Sequence, residues 1–250
     1  MAICQHCGIA TDQPFVREAE VFCCERCYLR ALTVKEAYRQ LDAAYDGTLE
    51  ALVSALDLRE CETHRHSERV AGYTRALAET MGITGKALED IHRGALLHDI
   101  GKIGVPDAIL LKPASLTPDE WTVMKKHPEM GRRILQDVEF LKSAAELVLA
   151  HEERFDGSGY PRGLRGDQIP LGARIFAVMD ALDAMAFDRP YRKAMPFEAV
   201  ARELLKGAGS QFDPDVIEVF RRDLGAFEER VRRDTQEICE AHGDHRRAFQ

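Results

Sequence analysis

Apolar residues beyond residue 30 recur with the period of an α-helix, and this pattern constrains the fold more than any other feature of the sequence. One run with the spacing i, i+3, i+4, i+7 consists of Leu49, Leu52, Val53 and Leu56. Convincing alternation of apolar and polar residues, which strands would require, is absent from the same region. We therefore predict an all-α body that covers approximately residues 33–235.

Local signals also predict where several helices begin and end. Residues 86–100 have a helical pattern, and Gly101 is well placed to end that helix. Thr117 begins a Thr-Pro-Asp-Glu capping box, and Asp213 precedes a proline that can open another helix. Trp121 follows the capping box, and we predict that it belongs to the core.

Four of the seven cysteines form two Cys-x-x-Cys pairs near the N-terminus, Cys4 with Cys7 and Cys24 with Cys27. Each pair can place two thiolates on one metal ion, and two pairs complete a tetrahedral shell. Cys23 is an alternative ligand. So short a segment has almost no core, so a structural zinc ion would be its main source of stability. A redox or metal-sensing switch and unliganded free cysteines are the other interpretations.

These patterns divide the sequence into three parts. Residues 1–32 are predicted to form a small Cys₄ zinc-binding module, residues 33–235 the helical domain, and residues 236–250 a charged, solvated tail. The length of 250 residues is sufficient for one well-cored domain with a small appendage.

The overall charge and the cysteine content limit the partners and the location that we expect. The formal net charge is −8, which argues against nucleic acid or an anionic membrane surface as a partner. No secretory signal is evident, and the most apolar stretch, residues 171–187, contains charged residues. We therefore predict a cytoplasmic protein, in which cysteines serve metal or redox chemistry rather than disulfides.

Histidines and carboxylates recur through the helical body at spacings that suit a shared metal site. The candidates are Glu62 and His66 at i, i+4, the adjacent His98 and Asp99, His127 before a proline, His151 and Glu152, and Asp180 and Asp183 at i, i+3. An isolated His-Asp pair is weak evidence by itself. The two aspartates of the apolar stretch, however, need a partner, because burying an unpaired charge is costly. That partner is either a metal ion or a salt bridge.

In this order, the candidates and the segments "HDIGKIGVPD", "DGSGYPRGL" and "IPLGARI" resemble the HD-GYP family of cyclic-dinucleotide phosphodiesterases. The resemblance extends from about Glu62 to Phe220 and does not include the cysteine segment. It implies an HD-type helical bundle that hydrolyses cyclic di-GMP to linear pGpG, to GMP or to both, through a metal-bridging hydroxide. It also implies two or three iron or manganese ions. A mixed GMP–AMP cyclic dinucleotide is an alternative substrate.

The resemblance assigns roles to individual residues. The implied metal ligands are Glu62, His66, His98, Asp99, His127, His151 and Asp180, with Asp99 bridging two ions and Glu62 at the position that helps hold a third. The catalytic residues would be Asp99 and Lys102. The predicted substrate contacts are Lys102, Gly159, Tyr160, Asp183, Arg189 and Arg192, where Gly159 would let the backbone pass close to the ligand.

One residue departs from the family pattern. The family usually has two consecutive histidines before Glu-Arg-aromatic-Asp-Gly, whereas this chain has His151 followed by Glu152. A carboxylate is a competent metal ligand, but it lowers the positive charge of the site. We therefore predict that Glu152 is a metal ligand that tunes the site. The alternative is a weak or silent sensor or adaptor that signals to another protein, or to a homodimer partner, through the zinc module.

Overall fold

The computed structural model describes residues 1–17, 20–60, 66–188 and 192–247. The chain divides into two compact units, residues 1–48 and residues 49–250. The first unit contains four short strands: β1 (Ala2–Ile3), β2 (Ala10–Thr11), β3 (Phe15–Arg17) and β4 (Glu20–Phe22). The helices are α1 (Glu25–Glu60), α2 (His66–Thr80), α3 (Gly85–Leu96), α4 (Asp107–Leu110), α5 (Pro118–Met124), α6 (His127–Leu135), α7 (Lys142–Ala150), α8 (Leu171–Ala186), α9 (Phe197–Lys206), α10 (Pro214–Arg222) and α11 (Leu224–Arg247).

The strands of the first unit form two antiparallel hairpins. Ala2 pairs with Thr11 in one hairpin, and Phe15 pairs with Phe22 in the other. The rings of Phe15 and Phe22 lie 5.7 Å and 5.4 Å from the ring of Tyr28, centroid to centroid. This unit therefore has a small aromatic core, which is more than the sequence suggested.

Helix α8 is the centre of the second unit. Its Phe176 packs in one hydrophobic cluster with residues of α2, α3 and α7, whereas Met179 and Leu182 pack in another with α9, α10 and α11. A helix that is apolar on nearly all sides is buried in this way. The prediction of an all-α body is confirmed, and α8 carries Asp180 and Asp183 into its middle.

Two of the predicted helix starts are confirmed. The capping box at Thr117 is present, and the side chain of Asp213 accepts a hydrogen bond at the start of α10. The predicted domain boundaries after residues 32 and 235 fall inside α1 and α11, and the division into domains stays a prediction. None of the helices in the described parts of the chain is long and apolar enough to cross a membrane.

Gly101 does not end the helix that precedes it. Helix α3 ends at Leu96, and Gly101 lies within a 3₁₀ helix, Ile100–Gly104. A Cβ atom at Gly101 would overlap the carbonyl oxygen of His127. The glycine is therefore required by the close approach of α6, and not by a helix end.

Replacing Gly101 with alanine should destabilise the fold by about 1–3 kcal/mol, because the added methyl group must displace the backbone of α6. Gly72 on α2 is the matched control, since a Cβ atom there meets no heavy atom within 4 Å. Gly72→Ala should be neutral or stabilising, by up to about 1 kcal/mol. Chemical denaturation of both variants measures the difference. Equal free energies of unfolding for the two variants would contradict the prediction.

Candidate metal and substrate site

His98, Asp99 and Lys102 lie at the junction between α3 and the 3₁₀ helix that follows it. Oδ2 of Asp99 is 3.0 Å from Nε2 of His98 and 2.7 Å from Nζ of Lys102. The helix ends before this segment, so its side chains can converge instead of following one helical face.

Six of the eight predicted metal ligands come together in two groups. We call His66, His98 and Asp180 the His66 group, and Asp99, His127 and His151 the His127 group. Within each group the candidate ligand atoms lie within 4.8 Å of one another. Glu62 lies outside the described residues, and Glu152 belongs to neither group.

Asp99 connects the two groups. Its Oδ1 lies 3.4 Å from Nε2 of His127 and 3.8 Å from Nε2 of His151, whereas its Oδ2 faces His98. One carboxylate thus presents one oxygen to each group. This arrangement suits the bridging role that the resemblance implies.

The four histidines of the two groups are oriented through their Nδ1 atoms. Three of them face a main-chain carbonyl oxygen: Nδ1 of His98 lies 2.8 Å from that of Ala95, Nδ1 of His127 lies 2.9 Å from that of Met124, and Nδ1 of His151 lies 2.7 Å from that of Val148. Nδ1 of His66 lies 2.6 Å from Oδ2 of Asp183. A carbonyl oxygen only accepts, so Nδ1 carries the hydrogen in the three residues that face one. In His127 and His151, Nε2 is then left with its lone pair for a metal ion, whereas Nε2 of His98 faces the carboxylate of Asp99.

Neighbouring charges set the protonation of this site. Burial alone would lower the pKa of His98, but Asp99 raises it to about 9. Burial opposes ionisation of Asp99, yet His98 and Lys102 hold its pKa well below 3.8. Burial lowers the pKa of His127 and His151. A cation that binds here therefore displaces a proton from His98.

Asp183 does not occupy the position of a substrate contact. It is only 1% exposed, and its oxygens lie 2.6 Å from Nδ1 of His66 and 2.7 Å from Nε of Arg69. Burial opposes its ionisation, but the hydrogen bond to His66 and the nearby Arg69 lower its pKa. The prediction of substrate contact is therefore corrected, because both oxygens are engaged within the protein. Arg69 was missed, although it lies one helical turn after His66.

The loop after α7 is organised by Glu153. This carboxylate is buried, and it accepts hydrogen bonds from the backbone N–H groups of Arg162 and Leu164 at 2.8 and 3.0 Å. A Cβ atom at Gly159 would overlap the backbone N–H of Arg154. Gly159 is thus needed because the loop folds back on itself, and its close approach to a ligand stays a prediction.

Glu152 is hydrogen-bonded to the hydroxyl group of Tyr160. Burial raises the pKa of this carboxyl group above its usual value, despite that bond. Burial and the adjacent Glu152 also raise the pKa of Tyr160. The structure therefore places Glu152 against Tyr160, rather than in either ligand group of the described residues.

A cavity of about 1070 Å³ adjoins the ligand groups. Predicted site residues that line it are Lys102, His127, His151, Glu152, Gly159, Tyr160 and Asp180.

Trp121 also lines this cavity and is 46% exposed, so its prediction as a core residue was wrong. Arg192 is partly buried, and it does not belong to the cavity lining as far as the described residues define it. Arg189 lies outside the described residues.

Arg59 holds the segment that follows Lys102. Its guanidinium group donates to the carbonyl oxygens of Lys102, Ile103 and Val105 at 2.6–3.0 Å, and to Oδ1 of Asp107. Carbonyl groups at a helix end lack partners within the helix, and a cationic side chain can satisfy them. No sequence signal pointed to Arg59, because its partners are more than 40 residues away in the chain.

The cysteine cluster differs from the predicted one in a single member. Cys4, Cys7, Cys23 and Cys27 form a group that could hold a metal ion, with Sγ of Cys23 3.6 Å from Sγ of Cys7 and 3.3 Å from that of Cys27. Cys24 is exposed, and its carbonyl oxygen accepts from the first turn of α1. Cys23 takes the place of Cys24 in this group, but Sγ of Cys24 lies only 3.8 Å from that of Cys23, so the choice between the two adjacent cysteines as the fourth ligand stays a prediction.

The fold and the two ligand groups define an α-helical domain with a candidate metal centre. A family model described as HD domain matches residues 50–216, and the chain belongs to this HD domain family.

Named relatives and a solved structure agree with this assignment. A cyclic di-GMP phosphodiesterase from Thermotoga maritima is 40% identical over 221 residues, which are 88% of this chain and 60% of that relative. The 3'3'-cGAMP-specific phosphodiesterase 3 of Vibrio cholerae is 38% identical over 193 residues, which are 76% of this chain and 41% of that relative. The chain thus spans about half the length of these curated relatives. A crystal structure of a cyclic GMP-AMP specific phosphodiesterase of V. cholerae matches 74% of this chain and 52% of its own, with a TM-score of 0.58 at 17% identity, and this likeness shows the fold.

Proposed function

We propose that this chain is a metal-dependent phosphodiesterase of the HD-GYP type that hydrolyses cyclic di-GMP. The observation that carries the proposal is Asp99, whose two oxygens face two ligand groups beside the cavity. The name of the T. maritima relative supports the substrate class. The Vibrio relative makes 3'3'-cGAMP the second candidate substrate.

The donor atoms of the two groups fit iron or manganese. Each group offers two imidazole nitrogens and one carboxylate oxygen, and such donors suit borderline to hard ions. When bound, a pair of divalent ions polarises the phosphate and lowers the pKa of a water molecule. We propose one ion in each group. A third would need Glu62, for which the resemblance is the only support.

The residues of the cavity position the phosphodiester. Lys102 lines the cavity, and its ammonium group lies beside Asp99, so it can contact a non-bridging phosphate oxygen and offset its charge. Tyr160 lines the same cavity, and its hydroxyl hydrogen can go to phosphate in exchange for its hydrogen bond to Glu152. Arg189 and Arg192 stay proposed contacts to the rest of the substrate. Asp183 acts indirectly, through the orientation of His66.

A hydrolysis assay tests the proposal. The protein is loaded anaerobically with Fe²⁺ or Mn²⁺ and incubated with cyclic di-GMP or with 3'3'-cGAMP, and the products are separated by chromatography. Linear pGpG, with or without GMP, is the expected product of cyclic di-GMP. If only 3'3'-cGAMP is hydrolysed, the chain is a phosphodiesterase for that dinucleotide and not for cyclic di-GMP. If neither dinucleotide is cleaved with either metal, the enzymatic function is wrong, and a sensor or adaptor role replaces it.

Glu152→His should raise the rate of hydrolysis by about tenfold, because an imidazole restores the residue type of the family pattern and removes a negative charge. Initial rates with Mn²⁺-loaded protein measure this. Glu152→Gln is the matched control, since it removes the charge without providing a nitrogen donor. A gain in both variants would identify the charge as the cause. No gain in either would mean that Glu152 does not limit catalysis.

We also propose that the cysteine cluster holds one structural zinc ion. Four thiolates within reach of one another are the donors of a closed tetrahedral zinc site. The module of residues 1–32 would then depend on zinc for its stability and would offer a surface for a signalling partner or a second copy. A thiolate site of this kind also supports our proposal of a cytoplasmic location.

Cys23→Ser should lower the zinc content from about one ion per chain to well below that, whereas Cys24→Ser should leave it unchanged. The two residues are adjacent, so each variant controls for the other. Metal content by mass spectrometry, together with the thiolate absorption of Co²⁺-substituted protein, measures the difference. Loss of zinc in Cys24→Ser alone would restore the pairing that the Cys-x-x-Cys spacing predicted.

A further inference from the structure

Trp121 is a large aromatic side chain in an unusual place. It lies on α5, is 46% exposed, and lines the cavity beside the ligand groups. It is also the only tryptophan of the chain. Large apolar side chains that stay exposed at a cavity often mark a binding surface rather than a packing residue.

The helix that carries Trp121 is held firmly at its start. The side chain of Thr117 accepts a hydrogen bond from the backbone N–H of Glu120, and the carboxylate of Glu120 accepts one from the backbone N–H of Thr117. Lys112 adds an ion pair to the same carboxylate at 2.6 Å. The indole is therefore presented from a fixed helix and not from a loose loop.

The cavity lining has an apolar part around Trp121 and a separate polar part. Leu116, Pro118 and Met124 line the cavity with the indole and give it an apolar part. The polar part contains His127, only six residues after Trp121. Helix α5, which carries Trp121, ends at Met124, and α6 begins at His127, so two consecutive helices supply the apolar and the polar part of the same cavity.

We propose that the indole of Trp121 stacks on one base of the substrate while the phosphodiester lies at the ligand groups. This inference rests on the proposed function and deepens it, because it names the residue that recognises the nucleobase. Aromatic side chains stack on every base through its π-face, so the contact contributes affinity without strict base selectivity. It also gives an apolar surface to a ligand whose phosphates are held by cations.

Two ligands that differ only by the base separate stacking from phosphate binding. GMP carries the guanine, whereas ribose 5-phosphate has the same phosphate and sugar without it. We expect GMP to change the fluorescence of the Mn²⁺-loaded protein and ribose 5-phosphate to leave it unchanged. Because the chain has a single tryptophan, any direct quenching belongs to Trp121.

Kinetics of three variants complete the test. Trp121→Ala should raise KM for cyclic di-GMP and Ki for GMP by about 10- to 100-fold, with Ki for ribose 5-phosphate unchanged. Trp121→Phe should restore most of the affinity because it keeps an aromatic face. Leu116→Ala is the control: it removes apolar surface from the cavity lining but no aromatic ring, so it should change Ki for GMP much less than Trp121→Ala does. Thermal melting of each variant checks that the fold is intact.

The outcomes distinguish this inference from the proposed function. If the wild-type protein cleaves cyclic di-GMP but GMP leaves the fluorescence unchanged and Trp121→Ala has wild-type KM, the stacking role is overturned while the activity stands. If the wild-type protein cleaves no cyclic dinucleotide, the proposed activity fails, whereas quenching by GMP but not by ribose 5-phosphate would still support stacking. Equal weakening of GMP and ribose 5-phosphate by Trp121→Ala would also overturn stacking.

Discussion

Replacing Asp99 with asparagine is expected to slow the hydrolysis of cyclic di-GMP at least about a thousandfold. Its two oxygens face His98 on one side and His127 and His151 on the other, so one substitution removes a donor from both groups. The new amide nitrogen presents hydrogens where a cation would be held. Metal ions contribute several kcal/mol of charge stabilisation, and each ~1.4 kcal/mol changes the rate tenfold.

Initial rates and metal content of Asp99→Asn, measured on the same preparation, check this expectation. Asp90→Asn is the control, because Asp90 lies on α3, belongs to neither ligand group and pairs with the exposed Lys86 at 2.7 Å. The substitution removes a carboxylate away from the candidate ligands, so the control should keep its activity and its metal. Asp99→Asn with the metal content of the wild type and a rate within tenfold would refute the shared role of Asp99.

Replacing Asp183 with alanine is expected to lower the free energy of unfolding by about 3–5 kcal/mol and the hydrolysis rate by about 10- to 100-fold. The stability falls because the guanidinium group of Arg69 loses its buried partner. The rate falls because Nδ1 of His66 loses the acceptor that orients the ring toward Asp180. Chemical denaturation and initial rates at a temperature where the variant is folded measure the two effects separately.

Asp213 provides the matched control for Asp183. It is buried as well, and it pairs with Arg174 at 2.6 Å, outside the ligand groups. Asp213→Ala should therefore lose a comparable amount of stability but keep its metal content and its rate per folded molecule. If the two variants have the same rate, Asp183 supports the fold alone and does not position His66.

The contribution of Asp183 to stability should depend on pH. Burial opposes the ionisation of this group, but His66 and Arg69 lower its pKa below the ordinary value of 3.8. A carboxyl group with a lowered pKa stabilises the fold fully above the pKa of the unfolded chain. That stabilisation is lost as the pH falls through the pKa of the folded state. The difference in stability between wild type and Asp183→Ala should therefore shrink in acid.

The sequence allowed the all-helical fold and most of the candidate site to be predicted. His98 and Asp99 are adjacent, and His127 and His151 belong to recognisable segments, so their identity as ligand candidates did not depend on three-dimensional packing. Their mutual distances and the two-sided position of Asp99 became visible only in the structure. The ligand assignments themselves stay predictions until metal is measured.

The errors arose where long-range packing overrides a local pattern. Helical periodicity does not distinguish a residue that faces the core from one that faces a cavity, as Trp121 illustrates. The Cys-x-x-Cys spacing favoured Cys24, whereas the group contains its neighbour Cys23, whose Sγ lies 3.8 Å from that of Cys24, and spacing alone does not rank two adjacent thiols. Asp183 matched a family position, yet Arg69 on another helix determines that it is buried.

The hydrogen-bond acceptors behind the histidines differ in how they respond to mutation. His98, His127 and His151 are held by main-chain carbonyl oxygens, which persist whatever side chain replaces Ala95, Met124 or Val148. His66 alone among these four is held by a side chain.

A single codon change at Asp183 can therefore release His66, whereas no change of side chain at the other three positions removes the acceptor. The His66 group therefore has one position outside its own ligands, Asp183, at which a single substitution disturbs a ligand, and no such position exists behind His127 and His151.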